Sequence, residues 1–291
     1  MFVSPGDIAF CIGSVPIYYY GIIMSVALFA GIFTARCITK KFYPELSTEI
    51  IYDIAPHIII GAIVFARLYY CVLSYHYYLA HPIEILEIRQ GGISIHGAII
   101  GGLIFGAIYA LRHKLPVLKL CDIFSYGLVL GQAIGRWGNF FNSEAFGMPT
   151  GNFLKLYIPI YKRPLEYLQY NYFHPTFLYE SISDIVIFLL LFFVIRKLAL
   201  YPSPNFSGTQ ELKFSHAGKS PLPQGARVER RDGVVFFSYL ILYSIVRIII
   251  EQIRIDSVLN LWGIPIAQIV SVLIILISVG FLLRIYWEKS R

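Results

Sequence analysis

Long apolar runs separated by shorter polar segments dominate the pattern of this chain. A helix needs about 20 mostly apolar residues to cross the hydrocarbon core of a bilayer, and seven runs meet that requirement. They predict an all-α polytopic membrane protein with about seven transmembrane helices in a single domain over residues 1–291. The predicted spans are Val15–Ala35, Asp53–Leu73, Ile93–Leu111, Leu118–Arg136, Pro175–Ile195, Gly233–Glu251 and Ile264–Tyr286.

The orientation follows from where the basic residues lie. Lysine and arginine concentrate in the segments that follow the first, third, fifth and seventh spans. Because such residues mark cytoplasmic loops, we predict the N-terminus outside and the C-terminus inside. On this topology, residues 74–92 form an outer interfacial amphipathic arm and residues 137–174 form a small outer head. Residues 203–230 face the inside, and their Ser/Pro/Gly-rich composition predicts a disordered insertion.

Composition supports the membrane class and limits the partners. The chain is 57% hydrophobic and 14% charged, whereas soluble domains carry about a quarter charged residues. A net charge of +7 would suit a nucleic-acid partner, but basic inner loops already account for it. A nucleic-acid partner is therefore not predicted. The four cysteines show no disulfide or zinc-site spacing, so no metal is predicted either.

Glycines recur at helical spacing in two of the predicted spans. Gly97 and Gly101 lie in the third span, and Gly127 and Gly131 lie in the fourth. Small residues four positions apart allow helix backbones to approach closely. We therefore expect the third and fourth helices to pack against each other.

Polar side chains within or beside the spans converge on one depth. The second, fourth and sixth spans contain ionisable residues, which are costly in a membrane and are therefore functional candidates. On the predicted topology, His96, Arg136, Arg247 and Glu251 all lie near the depth of the outer headgroups. Arg247 and Glu251 are four residues apart and share a helix face. Arginine binds phosphate bidentately, so Arg136 and Arg247 could hold one lipid phosphate from two helices.

Each of these residues also has a purely structural interpretation. Arg136 could extend from a helix end into the headgroups, the Arg247–Glu251 pair could join helices, and His96 could satisfy an interhelical hydrogen bond. A structural role is favoured for the other polar residues of this region, which are Asp53, His57, Arg67, Asp122 and His174.

The segment GRWGNFFNSEAFG, residues 135–147, carries a family resemblance. It is similar to the signature of the prolipoprotein diacylglyceryl transferases, Gly-Arg-x-Gly-Asn-Phe-x-Asn-x-Glu-x-x-Gly. The matching positions are Gly135, Arg136, Gly138, Asn139, Phe140, Asn142, Glu144 and Gly147. Further family-like segments occur in order along nearly the whole chain, and they are YYGII, GGISIHGAIIGG, DIFSYGLVLGQAIGR, HPTFLYE and YSIVRIIIEQIR.

The resemblance implies a function at a bacterial cytoplasmic membrane, near its outer leaflet. Members of this family move the diacylglyceryl group of phosphatidylglycerol to the lipobox cysteine of a prolipoprotein signal peptide, and glycerol phosphate leaves. No cofactor is expected. A free cysteine thiol has a pKa of about 8.5 and reacts as the thiolate, so we assign His96 as the general base.

The other candidate residues surround the lipid in this interpretation. Arg136 and Arg247 would stabilise the departing phosphate, and Glu251 would orient Arg247. Asn139, Asn142 and Glu144 would bind glycerol hydroxyls or shape the head, and Tyr20 and Tyr243 would position the lipid. Gly147 completes the predicted substrate-binding set.

Other classes of membrane protein fit less well. The main alternative is a multi-helix transporter of an anionic or lipid substrate, which would place polar sites at the midplane between related repeats. A nucleotide–lipid transferase needs an aspartate-rich metal site, and an intramembrane protease needs Ser/His or paired-Asp spacing. A structural scaffold would account for the glycines but not for the charged residues.

Overall fold

The protein is predominantly helical in a computed structural model, which describes residues 1–87, 91–198, 200–202, 228–255, 260–261 and 264–288. The helices are α1 (Tyr19–Phe42), α2 (Glu49–Leu73), α3 (Tyr75–Ala80), α4 (Ile95–Arg112), α5 (Val117–Phe141), α6 (Thr176–Leu190), α7 (Arg196–Leu198), α8 (Val234–Glu251) and α9 (Ile266–Glu288). A π-helical turn, Leu191–Ile195, joins α6 to α7. Within the described residues, seven helices are long and apolar enough to cross a membrane. The chain is a multi-pass membrane protein, as predicted.

Short strands of the described segments pair in four antiparallel ribbons. They are β1 (Ile8–Ile12) with β2 (Val15–Tyr18), β3 (Leu156–Tyr157) with β4 (Tyr172–Phe173), β5 (Leu200–Pro202) with β6 (Val228–Arg230), and β7 (Asn260–Leu261) with β8 (Ile264–Pro265). Gly13, with φ +61°, lies in the tight turn between β1 and β2. Such a turn requires a left-handed residue, which glycine adopts without steric cost.

The helix bounds differ from the predicted spans at several ends, and the largest difference is at the end of α1, which continues to Phe42 rather than Ala35. The first helix begins at Tyr19 because residues 15–18 form β2. The fourth continues to Phe141, so the signature begins inside a helix and the head starts one turn later than predicted. The fifth begins at Thr176, directly after Pro175. A proline lacks the amide hydrogen that a helix interior requires, so it is placed at the start of the helix.

Two compact units divide the chain. One comprises residues 1–31 and 125–291, and the other comprises residues 32–124. We call them the split unit and the inserted unit. The split unit contains the ribbon at the N-terminus, most of α5, the head segment and α6 to α9. The inserted unit contains α2, α3 and α4.

The expected pairing of the third and fourth helices through their glycines is wrong. In the inserted unit, α4 packs on α2, where a Cβ on Gly61 would lie 2.6 Å from the carbonyl oxygen of Gly101. In the split unit, a Cβ on Gly31 of α1 would lie 2.9 Å from the carbonyl oxygen of Gly127 of α5. Each glycine series thus meets an earlier helix, a choice of partner that small-residue spacing does not specify.

The arm is a short helix followed by a 3-10 turn, Pro82–Leu86. Its Leu79, Ile83 and Leu86 side chains are strongly exposed, as an interfacial segment requires, although its contact with a bilayer stays a prediction. The Tyr77 hydroxyl donates to Oε2 of Glu84, and this hydrogen bond raises the pKa of the phenol.

Arg67 of α2 fastens the second half of the arm. It is 5% exposed, and it donates from Nε to the Ile85 carbonyl at 2.9 Å and from Nη1 to the Gly91 and Gly92 carbonyls at 2.8 Å. Nη2 donates to the Glu84 carbonyl. Arg67 therefore has the structural role that was favoured for it.

The head segment has its own apolar core. This core is formed by Phe146, Leu156, Ile158, Phe173 and Phe177, and all five are buried. The packing fixes the loop that follows α5 against the start of α6.

The predicted insertion lies largely outside the described residues, since residues 203–227 are not among them. Its last residues, 228–230, form β6 and pair with β5. Disorder over residues 203–227 stays a prediction.

Candidate active site

Three helices of the split unit bring charged side chains together at one end. Arg136 lies near the C-terminal end of α5, Glu180 lies in the second turn of α6, and Arg247 lies near the C-terminal end of α8. Nη2 of Arg136 lies 2.5 Å from Oε2 of Glu180, and Nη1 of Arg247 lies 3.7 Å from Oε1 of Glu180. One carboxylate thus joins the two arginines that the sequence singled out.

A second carboxylate and a third arginine complete this group, which we call the arginine cluster. Nη2 of Arg247 lies 2.8 Å from Oε2 of Glu251, so the predicted contact along α8 is confirmed. Nη1 of Arg254 donates to Oε1 of Glu180 at 3.1 Å. The cluster is therefore Arg136, Arg247 and Arg254 with Glu180 and Glu251.

The cluster exposes its cations and buries its anions. The Arg136 and Arg247 side chains are 19% and 21% exposed, whereas the Glu180 and Glu251 side chains are 5% and 2% exposed. Buried charges need partners of opposite sign, and the buried carboxylates have them in the guanidinium groups of Arg136 and Arg247. What remains accessible is guanidinium, which binds phosphate or carboxylate.

Donors on these guanidinium groups stay available for a ligand. Besides its ion pair with Glu180, Arg136 has one hydrogen bond among the described residues, which Nη2 donates to the hydroxyl of Tyr243 at 3.3 Å. Within the described part of the chain, Nε and Nη1 of Arg136 and Nε of Arg247 have no hydrogen-bond or ion-pair partner. Tyr243 thus lies beside the cluster, as the sequence predicted.

Two acidic residues of α6 were missed by the sequence analysis. Glu180 is central to the cluster, and Asp184 lies one turn further along α6 and is 1% exposed. Both are carboxylates inside the fifth predicted span, so the criterion that selected Arg247 would have found them. Glu180 is also the last residue of the family-like segment HPTFLYE.

The loop after α5 is organised by one carboxylate oxygen. Oε1 of Glu144 accepts from Nδ2 of Asn139 at 2.8 Å and from Nδ2 of Asn142 at 3.3 Å. On either side of Glu144 the backbone adopts left-handed conformations, at Ser143 and Ala145, with φ of 49° and 54°. The side chains of the three predicted residues are therefore hydrogen-bonded to one another.

Gly147 packs the same loop against the end of α8. Its amide donates to the His174 carbonyl at 2.9 Å, and a Cβ at this position would lie 2.7 Å from the carbonyl oxygen of Ile253. Only glycine leaves room for this approach. Gly147 also forms a β-bridge with Arg254, so it links the loop to the cluster, and direct contact with substrate stays a prediction.

Tyr20 lies beside the same loop. A Cβ on Gly138 would lie 2.8 Å from Cδ2 of the Tyr20 ring. The lack of a side chain at Gly138 therefore allows this ring to pack directly on α5. Together with Asn142 and Glu144, Tyr20 lines an open cavity of about 430 Å³.

His96 belongs to the inserted unit. It is the second residue of α4, and its ring lies 6.1 Å from the ring of Tyr69. Its place at a helix end agrees with the sequence analysis, and its role as a base stays a prediction.

Among the described residues, no group of three or more His, Cys, Asp or Glu side chains could hold a metal ion.

These features define a multi-pass membrane protein with a partly exposed arginine cluster, and comparison with known proteins specifies the family. Residues 7–215 and 222–284 match the family model of prolipoprotein diacylglyceryl transferase. The chain is 40% identical to the phosphatidylglycerol–prolipoprotein diacylglyceryl transferase of Nostoc sp. over 289 residues, which cover 99% of this chain and 92% of the relative. It is 41% identical to the protein of the same name from Synechococcus elongatus over 288 residues, which cover 99% and 90%. The chain belongs to the prolipoprotein diacylglyceryl transferase family.

Proposed function

We propose that this protein transfers the diacylglyceryl group of phosphatidylglycerol to the lipobox cysteine of a prolipoprotein signal peptide, at the outer leaflet of a bacterial cytoplasmic membrane. The observation that carries the proposal is the arginine cluster, whose accessible face is cationic and whose carboxylates are buried. Membership of the family and the names of the relatives support the same donor and acceptor. They do not favour the alternative of a transporter.

The reaction is a substitution at carbon. The cysteine thiolate attacks the glycerol carbon of the diacylglyceryl group that carries the phosphate. The new S–C bond is a thioether, and the C–O bond to phosphate breaks with its electron pair on oxygen. Glycerol phosphate leaves, and the thiol proton passes to a base.

Arg136 and Arg247 stabilise the leaving group in this scheme. The phosphodiester carries one negative charge, and the departing phosphate monoester gains a second. Donors already aimed at the developing charge lower the barrier without reorganising. Nε and Nη1 of Arg136 and Nε of Arg247 are available for this purpose, while Glu180 and Glu251 hold both guanidinium groups in place.

His96 is the base in this scheme, because a neutral imidazole accepts a proton and most of a free thiol is protonated at neutral pH. Tyr243, which contacts Arg136, positions the phosphate. Tyr20, Asn139, Asn142 and Glu144 bind the glycerol part of the donor, and Gly147 keeps their loop against α8.

The experiment reconstitutes the purified protein in phosphatidylcholine vesicles with and without phosphatidylglycerol. A synthetic lipobox peptide is added, and a cysteine-to-serine version of this peptide is the control. We expect the cysteine peptide alone to gain the mass of one diacylglyceryl group, with one glycerol phosphate released per peptide. Folded protein that transfers nothing to cysteine peptides in the presence of phosphatidylglycerol would contradict the proposal.

A further inference from the structure

The open cavity beside Tyr20 has a polar lining that the residues assigned so far do not account for. Besides Tyr20, Asn142 and Glu144, it is lined by Asp7 and Lys162. Lys162 ends the 3-10 turn Ile160–Lys162 in the head segment, and Asp7 precedes β1. Both come from segments outside the family signature.

Lys162 is held in place with donors to spare. Its Nζ donates to the Asn142 carbonyl at 2.5 Å, and its other contact is the Tyr161 ring, whose centroid is 6.0 Å away. An ammonium group has three N–H donors, and within the described part of the chain only one of them has a hydrogen-bond acceptor. The bond to Asn142 fixes the ammonium against the wall that carries the signature loop.

The two carboxylates that line the cavity have oxygen atoms that can accept further hydrogen bonds. Glu144 uses Oε1 for both asparagines, and its Oε2 has no hydrogen-bond partner among the described residues. The Asp7 carboxylate likewise has no hydrogen-bond or ion-pair partner there. Two carboxylates and one ammonium disfavour an anion, whereas a hydroxyl group can accept from the ammonium and donate to a carboxylate.

The cavity is joined to the arginine cluster through one helical turn. Asn139, which Glu144 holds, follows Arg136 by three residues and shares its face of α5. In a phospholipid the headgroup alcohol is attached directly to the phosphate. We therefore expect a phosphate at Arg136 to direct the headgroup alcohol towards Asn139 and Glu144.

We propose that this cavity holds the headgroup glycerol of the donor lipid and that Lys162 is a specificity-determining residue. The inference rests on the proposed function and deepens it. Lys162 donates to a headgroup hydroxyl oxygen, and Glu144 and Asp7 accept from the two hydroxyls. An ammonium headgroup has only donors, so it offers Lys162 no acceptor, and a lipid that carries it is the poorer donor.

The test is a competition between two donor lipids. Vesicles contain equal amounts of phosphatidylglycerol and phosphatidylethanolamine in phosphatidylcholine, and released glycerol phosphate and ethanolamine phosphate are measured with the lipobox peptide. We expect Lys162→Gln to lower the preference for phosphatidylglycerol roughly tenfold, because the hydroxyl headgroup loses a charge-assisted hydrogen bond that an ammonium headgroup never makes. The change should appear in KM for phosphatidylglycerol, with kcat nearly unchanged.

The matched control is Lys155→Gln. Lys155 lies in the same head segment, with its Nζ 4.4 Å from the centroid of the Tyr172 ring, and it does not line the cavity. Its substitution should leave the preference unchanged. Asp7→Asn, at an exposed position on the cavity wall, should raise KM for phosphatidylglycerol and serves as the second variant if Lys162→Gln does not fold.

The outcomes separate this inference from the proposed function. Folded Lys162→Gln that keeps the wild-type preference would overturn the inference, as would wild-type protein that uses both lipids equally. If Lys162→Gln does not fold, an unchanged KM in Asp7→Asn overturns it. Wild-type protein that uses neither lipid contradicts the proposed function itself.

Discussion

Arg67 of the inserted unit and Arg136 of the split unit are both arginines within apolar helices, yet their partners differ in kind. Arg67 is 5% exposed and donates to four backbone carbonyls, whereas Arg136 faces a carboxylate and keeps Nε and Nη1 available. The guanidinium of Arg67 thus uses most of its donors in hydrogen bonds to the arm. That of Arg136 is positioned by Glu180 and remains accessible to a ligand.

This difference shows how a site arginine can be recognised. A buried charge in a membrane protein is a functional candidate by default, but that rule selects both residues equally. The partners decide between the two roles, because carbonyls that accept from four of the five N–H donors leave little of the guanidinium for a substrate. A buried carboxylate beneath a partly exposed guanidinium fixes the cation and leaves one face open.

The largest effect is expected from Glu180→Gln, which removes the carboxylate shared by three arginines. Breaking a buried ion pair on one side costs about 3–5 kcal/mol, because the remaining charge is left without its partner. We expect the free energy of unfolding in detergent to fall by that amount, with transfer reduced by at least roughly a hundredfold. Glu166→Gln, at an exposed position in the head, is the control. Wild-type stability and activity in Glu180→Gln would show that the cluster is not organised by this residue.

The next effect tests the base. We expect His96→Gln to slow transfer by about 10²–10⁴-fold at neutral pH, the range for loss of general base catalysis. The lipobox thiol ionises with a pKa of about 8.5, so the defect should shrink as the pH rises above that value and the thiolate forms unaided. A defect that stays constant from pH 7 to above 9 would assign His96 a structural role instead.

A smaller and different effect is expected from Arg67→Lys. A lysine keeps the charge but cannot reach four carbonyls with a planar fork, so some are left unsatisfied. We expect a loss of about 2 kcal/mol in the free energy of unfolding, faster amide exchange in the arm over residues 75–86, and a decrease in transfer of less than about tenfold. Arg136→Lys is the matched variant, and it should lose transfer while the arm stays protected. If Arg67→Lys abolished transfer without loosening the arm, the distinction between the two arginines would fail.

The smallest effect concerns packing in the inserted unit. Gly101→Ala places a methyl group against the Gly61 backbone, where there is no space for it. Overpacking of this kind costs about 1–3 kcal/mol, so the unfolding temperature should fall while transfer by the folded protein is retained. Gly151→Ala, where a Cβ would meet nothing within 4 Å, should leave the unfolding temperature unchanged. Equal behaviour of the two variants would contradict the close contact of α2 with α4.

The sequence predicts the membrane architecture well because hydrophobic runs of sufficient length have few alternatives in a bilayer. All seven spans are found as helices, with changes at their ends where a strand or a proline intervenes. Partner choice is predicted less well. Glycine spacing in α4 and α5 indicates close approach but not that the partners are α2 and α1, since spacing along one helix carries no information about its neighbour.

The site shows the same division. Arg136, Arg247, Glu251 and Tyr243 could be named from residue type and depth, and they do lie together. Glu180 could have been found in the same way, as a carboxylate inside a predicted span, but its central place arises from three arginines on other segments that converge on it. Such convergence is a property of the tertiary structure, and no pattern along the sequence indicates it.

The measurement that tests the account most directly is transfer by Arg136→Ala in vesicles that contain phosphatidylglycerol, assayed beside the wild type with the same lipobox peptide. Circular dichroism and the unfolding temperature establish that the variant is folded. The account predicts that folded Arg136→Ala shows a loss of about 10²–10³-fold or more in diacylglyceryl transfer and in glycerol phosphate release, because a donor to the developing phosphate charge is gone. Transfer at the wild-type rate would contradict the claim that this arginine holds the phosphate.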